Sequence, residues 1–265
     1  MLSKSKIKLI RSLEFKKYRD KHRLFIVEGD KTVREMLNSS LVVESVLAKK
    51  EWLEQIPENL STKAKELIEI NDKELSLISF LKTPNQVVAL VQTPQYQLNI
   101  ADITSELSLY LDGVQDPGNL GAIIRLADWF GISHVLCGEG TADPFNPKTV
   151  QATMGSIIRV KTYQTDETFF QELKIFDPDF PVYGTFLDGE NIYEVPLPIL
   201  SHMRESSAGA IIVMGNESKG IRDTVAQYVS RRLFIPSYPP GNPTSESLNV
   251  ASAAAIVCAE FRRRS

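Results

Sequence analysis

Residue types suited to ligand chemistry are concentrated in three loops, each of which follows a strand-like apolar run. The first loop, residues 116–125, opens with a Pro-Gly turn, places Asn119 as the predicted N-cap of a helix, and carries Arg125 six residues further on. Gly121 stands inside the first turn of this helix, where glycine costs about 1 kcal/mol relative to alanine. A plain turn into a helix explains the proline, the first glycine and the asparagine, but not Gly121. We therefore expect another backbone or a ligand to approach this turn closely.

The second and third loops are also rich in glycine and polar residues. Residues 214–221, MGNESKGI, are superficially similar to a phosphate-binding loop but lack its Gly-Lys-[Ser/Thr] element, which argues against binding of a nucleoside triphosphate. The third loop begins at Ile235 and Pro236, continues through a Gly- and Pro-rich stretch, and leads into a helix of small residues. Ser247 and Asn249 are the polar exceptions at the start of that helix. Taken singly, each loop is also compatible with a plain turn.

Other catalytic or metal-binding constellations do not occur in the sequence. Its three histidines are too few and too scattered for a convincing metal cluster: His22, His134 and His202. Cys137 and Cys258 lack a Cys-x-x-Cys partner, so neither a structural zinc site nor a disulfide framework is expected. There is no Gly-x-Ser-x-Gly elbow of a hydrolase. Gly138 and Gly140 follow a strand, but Asp143 stands where the dinucleotide fingerprint requires its third glycine.

From residue 107 onward, predicted strands and helices alternate. The strand-like runs are LSLYLDGV, HVLCG, SIIRV, PVYGTFL, AIIVMGN and RLFIPS. Helical patterns are predicted over residues 119–130, about 147–154, about 167–176, 222–230 and 246 to about 262. Continuous apolar strands that alternate with helices predict a parallel sheet covered on both faces. Ligands of such folds bind beyond the carboxyl ends of the strands, which is where the three loops lie.

The first 92 residues predict a smaller α/β domain. A basic helix is followed by the apolar run LFIV, a helix from about Asp30 to Asn38, the strand-like run LVVESVLA, the run KELIEI and the buried strand NQVVALVQ. Residues 93–106 are polar, contain a proline and have no clear period, so we predict a linker there. The predicted domains are therefore residues 1–92 and 107–265.

Charge is distributed unevenly along the chain. The first 25 residues hold nine basic and two acidic side chains, whereas the whole chain carries a net charge of −3. This asymmetry favours one surface built for phosphate, although a solvated basic helix remains an alternative. The candidate phosphate-binding residues are Arg11, Lys16, Lys17, Arg19 and Arg23. No run of about 18 apolar residues predicts a membrane span, and the N-terminus does not fit a signal peptide, so a cytoplasmic location is expected.

Taken in order, the three loops resemble the three sequence motifs of the SpoU (TrmH) family in the SPOUT superfamily. The matching residues are Asn119 and Arg125 in motif one, Gly215, Asn216, Glu217 and Gly220 in motif two, and Ile235, Pro236, Ser247, Leu248 and Asn249 in motif three. The segment from Asn146 to Ser156 is similar to the family's intervening segment, although Thr153 replaces a more usual serine. Residues 1–92 resemble the RNA substrate-binding domain often fused ahead of this catalytic domain.

The resemblance implies a fold and a methyl donor. The C-terminal domain would be an α/β fold with a deep trefoil knot, which periodicity alone does not predict. Its cofactor would be S-adenosylmethionine, without a metal. The implied cofactor-binding residues are Thr185, Met214, Gly215, Asn216, Ile235 and Leu248. Family members usually form homodimers through this domain, with the active site near the interface.

The resemblance also implies methyl transfer to a ribose 2'-hydroxyl of a structured RNA, with rRNA favoured over tRNA. The implied catalytic residues are Asn119, Arg125, Glu217, Ser247 and Asn249. Arg125 would act as a base, as proposed for the family, or as a charge-assisted donor to the attacking oxygen or a phosphate. We favour the donor, because a guanidinium resists deprotonation. The alternatives are a base methyltransferase of the same fold and a non-catalytic RNA-binding scaffold.

Overall fold

The computed structural model describes residues 2–197, 209–239 and 247–263 of the 265-residue chain. Packing divides the chain into two compact units. The N-terminal unit comprises residues 1–95 and 143–158, and the C-terminal unit comprises residues 96–142 and 159–265. Residues 143–158, which the sequence assigned to the C-terminal domain, thus pack with the N-terminal unit.

The N-terminal unit is built on a four-stranded mixed sheet. Its helices are α1 (Lys4–Ser12), α2 (Lys16–His22), α3 (Asp30–Asn38), α4 (Lys50–Gln55), α5 (Glu58–Ser61), α6 (Asp72–Ile78) and α9 (Pro147–Ala152). Its strands are β1 (Leu24–Glu28), β2 (Val43–Ala48), β3 (Leu67–Glu69) and β4 (Val87–Gln92), in the order β1-β4-β2-β3. Strand β4 is antiparallel to both β1 and β2, and β3 is parallel to β2. The core between sheet and helices includes Ile10, Leu13, Ile26, Leu47, Ile78 and Val88.

The predicted basic helix consists of two helices joined by a short turn. Helix α1 ends at Ser12, and the next helix, α2, ends at His22, after which Arg23 adopts a left-handed conformation with φ 53°. Ile10 and Leu13 are fully buried, so they anchor α1 while the basic side chains of its other faces remain at the surface. The predicted helix at Asp30–Asn38 is confirmed with those bounds.

The C-terminal unit contains a six-stranded parallel sheet. Its strands are β5 (Leu107–Leu111), β6 (His134–Cys137), β7 (Lys161–Gln164), β8 (Val182–Asn191), β9 (Ala210–Met214) and β10 (Arg231–Phe234), in the order β10-β8-β9-β5-β6-β7. The helices are α7 (Ile100–Thr104), α8 (Pro117–Trp129), α10 (Thr168–Phe176), α11 (Asp223–Ala226) and α12 (Val250–Arg263). All paired strands are parallel, and every residue of the central strands β5 and β9 is buried. The predicted α/β fold with a parallel sheet is confirmed.

Four sequence predictions differ from the structure or lie outside it. The run SIIRV, predicted as a strand, contains a 3-10 turn at Ser156–Ile158, and the strand follows at Lys161–Gln164. Periodicity cannot distinguish a short apolar run that is buried in a turn from one that is buried in a strand. The predicted linker contains helix α7, which begins after an asparagine cap at Asn99. The helix predicted over residues 222–230 spans only Asp223–Ala226.

The predicted helix start at residue 246 lies outside the described residues, as do residues 240–245 of the loop before it. The trefoil knot therefore stays a prediction. No helix in the described part of the chain is long and apolar enough to cross a membrane.

Candidate active site

Three polar side chains, one from each of the three loops, meet beyond the carboxyl ends of the central strands. The side-chain amide of Asn119 donates to Glu217 Oε1 at 2.6 Å. The amide of Asn249 donates to the same oxygen at 3.0 Å and to Asn119 Oδ1 at 3.0 Å. A carboxylate that accepts two amide donors and an amide oxygen that accepts a third form a closed triangle, which we call the Asn-Glu-Asn triangle. It joins segments that are far apart in the sequence.

Asn119 is available for this contact because another residue caps helix α8. The sequence predicted Asn119 as the N-cap, and this is wrong: Asp116 is the N-cap, and its carboxylate accepts from the Asn119 backbone N–H at 2.8 Å. Pro117 occupies the first helical turn, where its missing N–H costs no hydrogen bond. Asn119 therefore lies one turn further into the helix than predicted, and its side chain points its amide at Glu217.

The loop of motif two is held by its own asparagine. The Asn216 amide donates to Gly113 O at 2.7 Å, and its Oδ1 accepts from the backbone N–H groups of Ser218 and Lys219 at 2.9 and 3.0 Å. The backbone groups of Asn216 and Gly220 also bond reciprocally, each at 2.9 Å. The side chain and the backbone of Asn216 thus both shape the loop.

Gly215 is required by the closeness of the returning chain. A Cβ atom at this position would lie 2.4 Å from the backbone carbon of Gly220 and 2.5 Å from the nitrogen of Ile221. Real Cβ atoms essentially never approach backbone that closely, so any side chain would open the loop. The tight closure fixes the direction in which Glu217 leaves the loop.

Asn249 has two functions in the structure. Its Oδ1 accepts from the backbone N–H groups of Ala251 and Ser252 at 3.0 and 3.3 Å, which is the pattern of a helix N-cap. Its amide nitrogen remains free to donate to Asn119 and Glu217. Helix α12 is therefore attached through its first turn to the other two loops, and a guanidinium in its last turn reinforces the link: Arg262 donates to Phe130 O at 2.6 Å and Gly131 O at 2.8 Å, beyond the end of α8.

A cleft of about 770 Å³ opens beside the triangle, within the size range of small-molecule sites. All six predicted cofactor-binding residues line it: Thr185, Met214, Gly215, Asn216, Ile235 and Leu248. Glu217 and Ser247 also line it. Thr185 is fixed by a hydrogen bond from its hydroxyl to Val213 O at 3.3 Å. Leu248 is 46% exposed, so an apolar side chain is presented to whatever occupies the cleft.

Arg125 lies on the exposed face of helix α8, and its guanidinium makes no hydrogen bond or ion pair within the described part of the chain. Ile124 and Ala127 on the opposite face are fully buried, as the pattern predicted. Ser247 is exposed and likewise makes no hydrogen bond to another described residue. Arg125 is therefore a cation without a partner among the described residues, whereas the triangle residues are engaged with one another.

The sequence did not predict an ion pair between the buried Asp112 and the partly exposed Arg222. The Asp112 carboxylate, fully buried at the end of β5, accepts from the backbone N–H of Arg222 at 2.7 Å and from its Nε at 2.8 Å. Arg222 also donates to Glu139 at 2.5 Å. Burial alone would lower the pKa of Arg222, but its hydrogen bonds to these two carboxylates and the attraction of their charges together outweigh that effect and raise the pKa. The sequence signal for this ion pair is one charged residue, Asp112, at the end of an otherwise apolar strand. A charged residue at that position is equally typical of the start of a loop.

The candidate phosphate-binding residues have different surroundings. Arg19 is buried: its guanidinium contacts Asp143 at 2.6 Å and donates to the backbone oxygens of Leu13 and Glu14, both at 2.7 Å. These bonds occupy its donors within the N-terminal unit, so the structure contradicts a role for Arg19 in binding phosphate. The sequence could not distinguish it from its neighbours, because the partner carboxylate lies 124 residues away.

The other four cations are at the surface. Arg11 donates to Ser79 O at 3.0 Å and its guanidinium lies 4.6 Å from the centre of the Phe80 ring. Lys16 pairs with Asp20 at 3.0 Å, one helical turn away, and Lys17 lies over the Tyr18 ring. The side chain of Arg23 has no partner among the described residues.

The described residues contain no cluster of three or more histidine, cysteine or acidic side chains that could hold a metal ion. Cys137 and Cys258 are buried free thiols. Burial raises the pKa of Cys258 to about 12, so this thiol stays protonated at neutral pH.

A parallel sheet covered by helices, with a ligand cleft and a group of polar side chains beyond the carboxyl ends of its strands, is the arrangement typical of α/β enzymes. Residues 106–259 match the model of the SpoU rRNA methylase family, and residues 4–89 match that of the MRM3-like substrate binding domain. The chain therefore belongs to the SpoU rRNA methylase family, which confirms the resemblance drawn from the three motifs.

Individual relatives agree with this assignment. The chain is 35% identical to the 23S rRNA (guanosine(2553)-2'-O)-methyltransferase RlmP of Bacillus subtilis, over 97% of this chain and 96% of that protein. A TrmH-family structure from Porphyromonas gingivalis superimposes with a TM-score of 0.85 at 41% identity, covering 100% of both chains. An AdoMet-bound rRNA methyltransferase from Sinorhizobium meliloti superimposes with a TM-score of 0.83 at 30% identity, covering 99% of this chain and 97% of that one.

Proposed function

We propose that the chain transfers a methyl group from S-adenosylmethionine to a ribose 2'-hydroxyl of rRNA. The observation that carries this proposal is the Asn-Glu-Asn triangle, which joins one polar residue from each of the three motifs through Glu217, a residue that lines the cleft. The relative from Bacillus subtilis is named as a 23S rRNA 2'-O-methyltransferase, which favours rRNA over tRNA as the substrate.

The cleft suits the methyl donor in size and in the chemistry of its walls. Ile235 and Leu248 offer apolar surface to an adenine, and the tight backbone at Gly215 brings peptide groups to the wall of the cleft. When bound, the sulfonium of the donor supplies an electrophilic methyl group and leaves as a neutral thioether. The residues of this chain therefore have to align the 2'-hydroxyl and stabilise the negative charge that develops on its oxygen.

Arg125 is the residue we assign to that charge. A guanidinium keeps its proton, so it acts on the attacking oxygen or on a neighbouring phosphate as a charge-assisted donor. Its exposure and its lack of a partner among the described residues leave all of its donors available to RNA. The proton of the hydroxyl then leaves to solvent or to another base.

Asn119, Glu217 and Asn249 act as positioning residues in this scheme. Their hydrogen-bonding groups are directed at one another, so their shared effect is to fix helix α8, the motif-two loop and helix α12 around the cleft. Ser247, which lines the cleft with a free hydroxyl in the described part of the chain, would hold donor or substrate.

We further propose that the N-terminal unit captures RNA and that two copies of the C-terminal unit associate. Lys16, Lys17, Arg11 and Arg23 form the cationic surface left after Arg19 is removed from the set. For the dimer, the supporting observation is that Gly118, Ala122, Arg125 and Trp129 share one face of α8 at helical spacing, with Trp129 84% exposed. A partner on that face would place Arg125 at the interface. The cytoplasmic location stays a prediction.

The test is methyl transfer from labelled S-adenosylmethionine to rRNA by the full chain, followed by mass-spectrometric mapping of the modified nucleotide. We expect label on a ribose oxygen, lost on deleting the gene and restored by the purified protein. A methylated base instead would favour the base methyltransferase. Donor and RNA binding without any transfer would favour the non-catalytic scaffold.

A further inference from the structure

A second cavity, of about 740 Å³, lies in the N-terminal unit beside the carboxyl end of α2. His22 and Arg23 stand at its rim, and Glu44, Ser45, Gln92 and Thr93 contribute to the polar part of its wall. The ion pair of Lys6 with Glu66 adds charged groups to the wall, and its apolar part includes Leu41 and Val42. Neither the motifs of the catalytic cleft nor the proposed methyl transfer involves this cavity.

Two hydroxyls in the wall are buried without a partner. Ser45 is only 2% exposed, and its Oγ makes no hydrogen bond to any described residue. The buried Oγ1 of Thr93 likewise has no hydrogen-bond partner in the described part of the chain. A buried hydroxyl that lacks a hydrogen bond is costly, about 1–3 kcal/mol, and calls for an explanation such as an absent ligand. Both hydroxyls can donate or accept, so they suit a ligand that carries groups of both kinds.

An irregularity in strand β2 directs Glu44 and Ser45 to the same cavity. Adjacent residues of a regular strand point to opposite faces, but the pairing of β2 with β4 shifts register between Val43 and Ser45. The Glu44 carboxylate accepts from Lys65 at 2.6 Å and from the Gln92 amide. The hydrogen bond from Lys65 is the largest influence that lowers the pKa of Glu44, so the carboxylate stays ionised at neutral pH and acts as an acceptor only.

The rim of the cavity is cationic and aromatic, whereas the wall carries the Glu44 carboxylate and the two buried hydroxyls. The Arg23 side chain has no partner in the described part of the chain, and α1 and α2 beside it carry most of the basic excess of the first 25 residues. The rings of His22 and Tyr18 are stacked, with centres 6.5 Å apart and planes within 16°. Cations, aromatic rings at the surface and a polar pocket are features with which proteins bind an unpaired nucleotide of RNA. Here His22 is exposed and Tyr18 is partly exposed.

We propose that this cavity binds one unpaired, amino-bearing nucleotide of the RNA substrate. The base enters beside His22, its amino group donates to Glu44, and its other polar atoms bond to Ser45 and Thr93, while Arg23 contacts the flanking phosphate. Adenine and cytosine offer an amino group where uracil offers an oxygen, so the ionised Glu44 disfavours uracil. This inference rests on the proposed function, since it takes RNA as the substrate.

The experiment measures fluorescence anisotropy of labelled 12-nucleotide oligo(rA), oligo(rC) and oligo(rU) with the full chain. We expect the parent to bind oligo(rA) and oligo(rC) about tenfold or more tightly than oligo(rU). Val42→Trp, at a wall position that is 42% exposed, places an indole in the cavity without disturbing the core and should abolish this preference. Glu44→Gln should reduce the preference for oligo(rA) and oligo(rC) over oligo(rU), because an amide can also donate a hydrogen bond to uracil. Arg23→Gly, which tolerates the left-handed backbone, should weaken all three and reduce the salt slope by about one.

Lys31→Ala is the matched control, since Lys31 is exposed and does not line the cavity, and it should bind like the parent. Equal binding of the three oligonucleotides by the parent, no binding at all, or an unchanged preference in Val42→Trp would overturn the proposal. Calorimetric donor binding checks that each variant is folded. Methyl transfer to rRNA by the parent is measured in parallel. If that transfer is absent, the proposed function fails, whereas the oligonucleotide series still decides whether the cavity binds a nucleotide.

Discussion

Asn119 and Glu217 are separated by 98 residues, yet their side chains are joined by a hydrogen bond of 2.6 Å. Because Glu217 Oε1 also accepts from Asn249, the removal of any one side chain leaves the other two incompletely bonded. We therefore expect Asn119→Ala and Glu217→Ala to reduce methyl transfer for the same reason, which is that each breaks the Asn-Glu-Asn triangle. In a double-mutant cycle on kcat/KM, the combined variant should be about as impaired as the worse single variant, with a coupling of roughly 0.5–3 kcal/mol. Pairing Asn119→Ala with Lys161→Ala, an exposed lysine on β7, provides an additive control. Additivity in the first pair would contradict a shared positioning role.

Arg125→Ala should separate chemistry from folding. Alanine is the better helix former and Arg125 has no partner among the described residues, so the melting temperature should stay near that of the parent. Loss of one donor to a developing oxyanion typically lowers the rate about 10²–10³-fold, so kcat should fall while calorimetric donor binding is spared. Arg125→Lys should rescue poorly, because an ammonium cannot reproduce the planar fork of a guanidinium. Lys161→Ala serves as the control for removing a surface cation. Turnover near that of the parent in Arg125→Ala would end the proposed role.

Charge reversal at Lys16 and Lys17 should weaken RNA binding through electrostatics alone. Both side chains are exposed, and each phosphate contact that is lost reduces the slope of log affinity against log salt by about one. We expect Lys16→Glu with Lys17→Glu to lower affinity for rRNA and flatten its salt dependence, while donor binding is unchanged. Lys31→Glu changes the charge of the same unit outside this surface. Equal losses in both variants would mean that net charge, not this surface, governs binding.

Arg19→Met should destabilise the N-terminal unit. The substitution keeps most of the side-chain volume but leaves the Asp143 carboxylate and the oxygens of Leu13 and Glu14 without their donor. Removing one partner from a buried ion pair typically costs about 3–5 kcal/mol. Thermal melting followed by circular dichroism should therefore show a clear fall in melting temperature. Lys17→Met, made at an exposed neighbouring position, should melt like the parent. An unchanged melting temperature in Arg19→Met would restore this residue as a candidate for RNA contact.

Light scattering at micromolar concentration should report twice the 29.7 kDa mass of one chain. Trp129→Glu places a charge on the proposed interface of α8 and should yield monomers with reduced methyl transfer. The control is Ile175→Glu on α10, since Ile175 is also 84% exposed but lies on a different helix. A parent that is monomeric and fully active would refute the dimer.

The sequence predicted the parallel sheet and the three loops because both follow from local patterns. Apolar runs such as the one at β9 can only be satisfied by burial on both faces, and the loops beyond them carry the glycines and amides that a strand would exclude. It could not predict the contacts of Arg19, Asp112 or Asp116. Arg19 and Asp112 pair with groups more than 100 residues away in the sequence. Asp116 and Asn119 are both good N-capping residues, and only their position relative to Pro117 decides which of them caps the helix. Tertiary packing decides these contacts, and local sequence patterns do not contain that information.

The discontinuity of the N-terminal unit has a consequence for synthesis on the ribosome. Residues 143–158 bring Asp143 to the buried Arg19 and the Phe145 ring to within 5.0 Å of the Phe25 ring. Domains that are contiguous in sequence can fold as soon as they emerge. Here the first 95 residues emerge with the cation of Arg19 unpaired and part of their apolar surface uncovered, and they must wait for nearly 50 further residues before that segment exists. The nascent chain therefore passes through a period in which residues 1–95 of its N-terminal unit are translated but the unit is incomplete.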